Sequence, residues 1–176
     1  MPLAMTGQSG LRRLGTTLEV DGVTFCVWAP HAEHVSVVGT FNNWNGDADP
    51  MTSDGAGYWK TEVAGASIGD HYKYQIVTSA GVIQRIDPHA REVTNSVGNA
   101  IIHNPAFGWD DDCFKMPAWN ELVIYELHVG TFNDDDSCRP GQFITITARL
   151  DHLQKLGINA IQIMPVGQFA GMRSWG

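Results

Sequence analysis

The stretch VTFCVWAPHAEHVSVVGTFNNW, residues 23–44, decides how this chain folds. Val23, Phe25 and Val27 alternate with Thr24, Cys26 and Trp28, the period of two that marks a strand with one buried face. Pro30 and a polar run interrupt the pattern, and it resumes as HVSVVGTF, residues 34–41. No helical spacing separates the runs, so they read as neighbouring strands of an antiparallel assembly.

The same grammar continues outward in both directions. Upstream, TLEV (17–20) is joined to the first run by Asp21-Gly22, a strong hairpin signal. Downstream come GYWKTEV (57–63), HYKYQIV (71–77), VIQRI (82–86) and GNAIIHN (98–104), with turn residues between them. This series predicts an antiparallel β-sandwich over 15–103, preceded by a flexible N-terminus at 1–14. Trp28 and Trp59 read as core or interdomain residues, and both are expected to be buried. Trp59 sits beside Tyr58, and one of that pair must face outward.

The periodicity breaks at NPAFGWDDDCFKMPAWNE (104–121). Four large aromatics in so short a run suit an ordered connector, assigned to 104–120, better than a solvated linker. Beyond it, LVIYELHVGTF (122–132) is a nearly continuous apolar strand of the kind buried on both faces of a parallel sheet. QFITITARLDHLQKLG (142–157) spaces Phe143, Ile146, Leu150, Leu153 and Leu156 by threes and fours, which predicts one amphipathic helix stopped at Gly157. INAIQIMPV (158–166) is the next buried strand. The span 121–176 thus reads as a βαβ unit with a right-handed crossover.

Charge and cysteine usage exclude several functions. The net charge of -8 and the scattered basic residues argue against a nucleic-acid partner. The 43% hydrophobic content is enough for a core, yet no run is long enough for a signal peptide or a membrane span. The three cysteines, Cys26, Cys113 and Cys138, are widely spaced and odd in number, so neither a disulfide framework nor a metal motif is indicated. A cytoplasmic protein without metal or cofactor is expected.

Taken in order, W-A-P (28–30), F-N-N-W (41–44), Y-E-L-H-V-G (125–130) and G-I-N-A-I-Q-I-M-P-V (157–166) resemble the glycoside hydrolase 13 (α-amylase) superfamily. Within it the sequence is most similar to glycogen branching enzymes, trehalohydrolases and isoamylases. The resemblance implies a mainly β chain: an immunoglobulin-like, early-set sandwich of carbohydrate-binding family 48, then a truncated βαβ start of a TIM (β/α)8 barrel. It implies that the nucleophile, the acid/base and the stabilising carboxylate follow later barrel strands. The chain alone should therefore carry no catalytic residue and be inactive. Two exposed apolar strands without barrel companions would also invite self-association.

Local acidic candidates fall short of that chemistry. Retaining glycoside hydrolysis needs two carboxyl groups about 5 Å apart. Asp134, Asp135 and Asp136 are adjacent in a loop with no fixed spacing, and read as a solvated acidic turn. Glu126 and His128 face the same way along a strand and read as a hydrogen-bonded core pair. Arg173, Ser174 and Trp175 follow the second barrel-type strand, too little to assign substrate contacts.

The sandwich offers the better site. A sugar ring has an apolar face that stacks on an exposed indole, while amides and amines bond its hydroxyls. Trp44 follows a strand in a polar turn with little core to enter. The resemblance implies that Trp44 stacks on an α-glucan such as glycogen or a maltooligosaccharide, and that Lys73 and Asn99 contact it. It also expects a second platform tryptophan where this chain has Gln84. The loss of that second face favours a packing role for Trp44, so a glucan-binding module and a structural companion domain both stay open.

Overall fold

The computed structural model describes residues 13–111, 113–134 and 139–171. The expected flexible 1–14 segment lies almost wholly outside these, as do Asp135, Asp136, Cys138, Arg173, Ser174 and Trp175. The chain divides into two compact units, Met1–Ala106 and Phe107–Gly176.

The first unit is built from nine strands: β1 (Gly15–Leu18), β2 (Gly22–Trp28), β3 (His34–Gly39), β4 (Thr52–Ser53), β5 (Tyr58–Ala64), β6 (His71–Thr78), β7 (Gly81–Arg85), β8 (Glu92–Val93) and β9 (Ala100–Ile101). They form a four-stranded sheet ordered β1-β2-β5-β4 and a five-stranded sheet ordered β3-β6-β9-β8, in which β7 also pairs with β6. Every pairing in both sheets is antiparallel. The chain turns from β1 to β2 at Asp21-Gly22, where Glu19 N donates to Gly22 O at 2.9 Å. The two-residue strands β4 and β8 carry no alternation of their own and are additions to the sequence reading.

The two sheets share one core. Val23, Phe25, Val27, Trp59 and Val63 enter from the first, and Val35, Val37, Tyr72, Tyr74 and Ala100 from the second. Removing each large apolar side chain from water contributes about 1.5–3 kcal/mol. Phe25 meets the Tyr72 ring edge-on with centroids 5.1 Å apart, and Tyr72 meets Tyr74 the same way at 5.9 Å. Trp59 is buried as expected, its Nε1 donating to Ala29 O at 3.0 Å. Trp28 is not: it is 55% exposed. It ends the β2 ladder opposite Tyr58 and lines an open cleft with Tyr74, Ile76 and Arg85.

The second unit contains a short 3-10 turn (Trp119–Glu121), strand β10 (Ile124–Leu127), helices α1 (Val129–Phe132), α2 (Phe143–Thr147) and α3 (Leu150–Lys155), and strand β11 (Ala160–Ile163). β10 and β11 pair in parallel, from Ile124 opposite Ala160 to Leu127 opposite Ile163. Asn159 sets this register: its Oδ1 accepts from Val123 N at 2.7 Å and its Nδ2 donates to Glu121 O at 2.9 Å.

Three expectations for this unit need correction. The strand read over 122–132 ends at Leu127, and residues 129–132 turn into α1. The single helix over 142–157 is two helices separated at Ala148-Arg149. In α2 the β-branched residues of Phe143-Ile144-Thr145-Ile146-Thr147 restrict χ1, and the threonine hydroxyls bond back to carbonyls three residues earlier, at 2.8 Å for Thr145 and 2.7 Å for Thr147. Of the apolar stripe only Ile146 and Leu153 are buried. The stop at Gly157 holds, with φ at +85°. Finally, Glu126 and His128 are not a core pair. Glu126 is exposed and accepts from Gln162 Nε2 at 3.4 Å, whereas His128 is half-buried beside Thr131 Oγ1 at 3.2 Å. A carboxylate at an exposed position keeps its hydration, which burial would forfeit.

Candidate functional site

The site grows from the outward face of the five-stranded sheet. Along β6, Tyr72 and Tyr74 are fully buried, so the intervening Lys73 and the following Gln75 point the other way. Lys73 lies opposite Val38 on β3, and Tyr72 opposite Ala100 on β9. That ladder ends at Ala100, and Asn99 precedes it at the turn from β8. Asn99 is held by two bonds with Thr94: Asn99 N donates to the Thr94 hydroxyl Oγ1, and Thr94 N to Asn99 O, each at 2.9 Å.

Val38 also faces outward, yet it is fully buried and stands apart from the shared core. Its cover is the loop that leaves β3. A 3-10 turn at Thr40–Asn42 is followed by Asn43 and Trp44, both in the left-handed region with φ of 55° and 61°. The loop then returns along β3, with Val37 N donating to Asp49 O at 3.1 Å and Ser36 bridged to Pro50. Trp44 therefore rides in a loop laid over the face that carries Lys73 and Asn99. Its indole is 36% exposed, half sunk into that surface.

A left-handed backbone costs a non-glycine residue about 1–2 kcal/mol, so two in succession persist only in a surround that over-determines them. Asn42 supplies much of it. Its Oδ1 accepts from Gly39 N at 2.9 Å, and its Nδ2 donates to Val37 O at 3.0 Å and to Asp49 Oδ2 at 2.7 Å. Trp44 N adds a bond to Gly39 O at 2.8 Å.

A second tie runs from Thr40, whose hydroxyl donates to Asp70 Oδ1 at 2.6 Å while accepting from His71 N at 3.2 Å. Burial pushes the Asp70 carboxyl up, but the bonds from Thr40 and Ser67 outweigh it and hold the group below the usual aspartate value.

The structure thus brings all three sequence-derived residues, Trp44, Lys73 and Asn99, to one surface. It adds Asn42, Asp70 and Gln75, which the sequence reading passed over. Asn42 carried a signal in the turn-forming Asn42-Asn43 pair. Asp70 bonds Ser67 three residues away, but its tie to Thr40 lies thirty residues off, and the approach of Gln75 to Gly46 likewise joins separate segments.

Asp134 is exposed, and nothing fixes a second carboxylate at catalytic spacing from it among the described residues. Within those same residues no group of three or more His, Cys, Asp or Glu is arranged to hold a metal. No helix there is long and apolar enough to cross a membrane.

The chain is similar to several known proteins. Residues 13–90 match carbohydrate-binding module 48, the isoamylase N-terminal domain. A malto-oligosyltrehalose trehalohydrolase of Saccharolobus solfataricus is 36% identical over 163 residues, which is 92% of this chain and 27% of that protein. A 1,4-alpha-glucan branching enzyme of Xanthomonas campestris is 33% identical over 169 residues, 90% of this chain and 23% of the enzyme. Among solved structures, a pullulanase of Paenibacillus barengoltzii superposes with a TM-score of 0.72 at 27% identity, covering 87% of this chain and 27% of its own. The chain spans about a quarter of the length of the curated relatives it matches. Residues 13–90 match the carbohydrate-binding module 48 family, and the chain is similar to proteins of the glycoside hydrolase 13 superfamily, consistent with an amino-terminal region of one.

Proposed function

We propose that this chain binds α-1,4-glucan on the outward face of its five-stranded sheet. The indole of Trp44 stacks on a glucose ring while Lys73 and Asn99 bond its hydroxyls. The observation that carries this reading is the meeting of Trp44, Lys73 and Asn99 on one surface from three separate segments. Glycogen and maltooligosaccharides are the ligands of matching chemistry. With a single stacking face, affinity is roughly millimolar, about -4 kcal/mol.

The same reading makes the chain the binding module of a glucan-active enzyme of the cytoplasm, with a 1,4-α-glucan branching enzyme as parent. The similarity to branching enzymes over 90% of the chain supports this. A trehalohydrolase parent is the second reading, supported by the relative at 36% identity. In either case the parallel β10–β11 pair and its helical crossover are the first strand, helix and second strand of a (β/α)8 barrel, with the reacting carboxylates on later strands. The exposed apolar side chains of β10 and β11, Ile124, Ile161 and Ile163, favour self-association of the isolated chain.

Calorimetric titration with maltoheptaose tests the binding reading: saturable binding by the wild type and its loss in Trp44→Ala are expected. Absence of binding by the wild type overturns it and leaves a structural companion domain. Glucan branching or hydrolysis by the purified 176-residue chain would overturn the assignment of catalysis to residues elsewhere.

A further inference from the structure

We infer that Gln75 is the positioning residue of the Trp44 platform, with Gln84 as its brace, so that an amide pair supports one stacking face where a second face is expected. The inference rests on the glucan-binding reading above.

Gln75 lies beneath the second half of the Trp44 loop. In the strand register it stands opposite Ser36 on β3 and opposite Gln84 on β7. Ser36 is itself bridged to Pro50, where the loop ends. Gly46, two residues past Trp44, presses on the Gln75 amide so closely that a Cβ added at Gly46 would overlap its Nε2 and come within 2.7 Å of its Cδ. Gln84 Nε2 donates to Gln75 Oε1 at 3.4 Å. The chain of contacts therefore runs Gln84 to Gln75 to Gly46, and so to the backbone that presents Trp44.

This arrangement completes the restraint that two left-handed residues need. Asn42 holds the front of the loop, before the strained pair, and Gln75 holds the back, after it. Gly46 leaves room for the Gln75 amide: its φ is ordinary, and a side chain there would displace that amide. Gln84 offers a sugar no flat apolar face. Its position beside Gln75 suits it to support, and recognition through stacking falls to Trp44 alone.

The test uses the full chain labelled with 5-fluorotryptophan, with the Trp44 fluorine resonance assigned by Trp44→Phe. Gln75→Ala and Gly46→Ala are expected to shift that resonance without ligand. They should also weaken maltoheptaose binding about 3- to 10-fold, the worth of one neutral hydrogen bond. The double variant should be no worse than Gln75→Ala, since both act on one contact. Gln75→Glu keeps the acceptor for Gln84 and should restore the resonance, while Gln84→Ala should shift it less than Gln75→Ala does.

An unchanged resonance and unchanged affinity in Gln75→Ala overturn the inference. Weakened binding without a resonance shift also overturns it, because Gln75 would then touch the sugar itself. A shifted resonance in a chain that binds no maltoheptaose upholds the positioning role and removes the glucan reading.

Discussion

Tyr72 and Asp87, fifteen residues apart, meet inside the sandwich, where the phenol donates to Asp87 Oδ2 at 2.7 Å. Tyr74 donates to the same oxygen at 3.2 Å, and His89 N donates to Oδ1 at 2.8 Å. The carboxylate is 3% exposed, so these three donors stand in for its lost hydration. The cluster ties β6 to the chain that leaves β7, beneath the strand that carries Lys73 and Gln75.

Removing that acceptor strands two buried hydroxyls. Asp87→Ala is expected to destabilise the first unit by roughly 2–4 kcal/mol in urea unfolding. Asp87→Asn, which presents an amide NH2 to donors, should recover little. A loss below about 1 kcal/mol in both would show that water replaces the carboxylate.

The same burial acts on the phenols. It pushes Tyr72 and Tyr74 far above the usual tyrosine range, and the adjacent Asp87 charge adds to the shift. In the folded state both keep their protons where the unfolded chain, with phenols near pH 10, has lost them. Stability from this source is full below pH 10 and falls as pH rises above it. Absorbance titration should therefore show two of the four tyrosines ionising only together with alkaline unfolding. Smooth, reversible titration of all four in a folded chain would refute the burial.

Asn42→Ala removes three side-chain hydrogen bonds from the Trp44 turn. It should cost about 2 kcal/mol and weaken maltoheptaose binding, with the far-UV spectrum unchanged. Asn42→Asp, which retains the acceptor for Gly39 N but sets a second charge beside Asp49, should be no better than alanine.

In the second unit, Asn159→Ala removes the side-chain acceptor of Val123 N and the donor to Glu121 O. Amide exchange at Val123 should accelerate by at least about tenfold, while the core amides of β6 keep their rates. Equal protection of Val123 in both proteins would mean that backbone pairing alone sets the β10–β11 register.

Trp44→Ala and Trp28→Ala separate two exposed indoles. The first should abolish detectable maltoheptaose binding, and the second should leave it within about twofold, since Trp28 lies on the other sheet.

Much of this architecture was legible because alternation is a local property. Val23, Phe25 and Val27 announce their buried face within seven residues, and Asp21-Gly22 announces its turn. The fate of Trp28 was not legible, because burial at a strand end depends on which segments distant in sequence lie over it. The single helix expected over 142–157 failed for a related reason. Its apolar spacing suits a helix, but the threonine-rich first half prefers local side-chain bonds, and only Ile146 and Leu153 find cover.

By itself the sequence determined the longer strands of the sandwich, the hairpin, the change from antiparallel to parallel grammar near residue 121, and the candidacy of Trp44. Period, turn chemistry and residue type act over a few positions and need no partner. Only the tertiary structure decided that Lys73 and Asn99 come to the same sheet, that Gln75 lies under Gly46, and that Asp87 accepts from two phenols in the core. Each joins residues distant in sequence, through the pairing of strands or the packing of a loop on a sheet, which no short window of sequence contains.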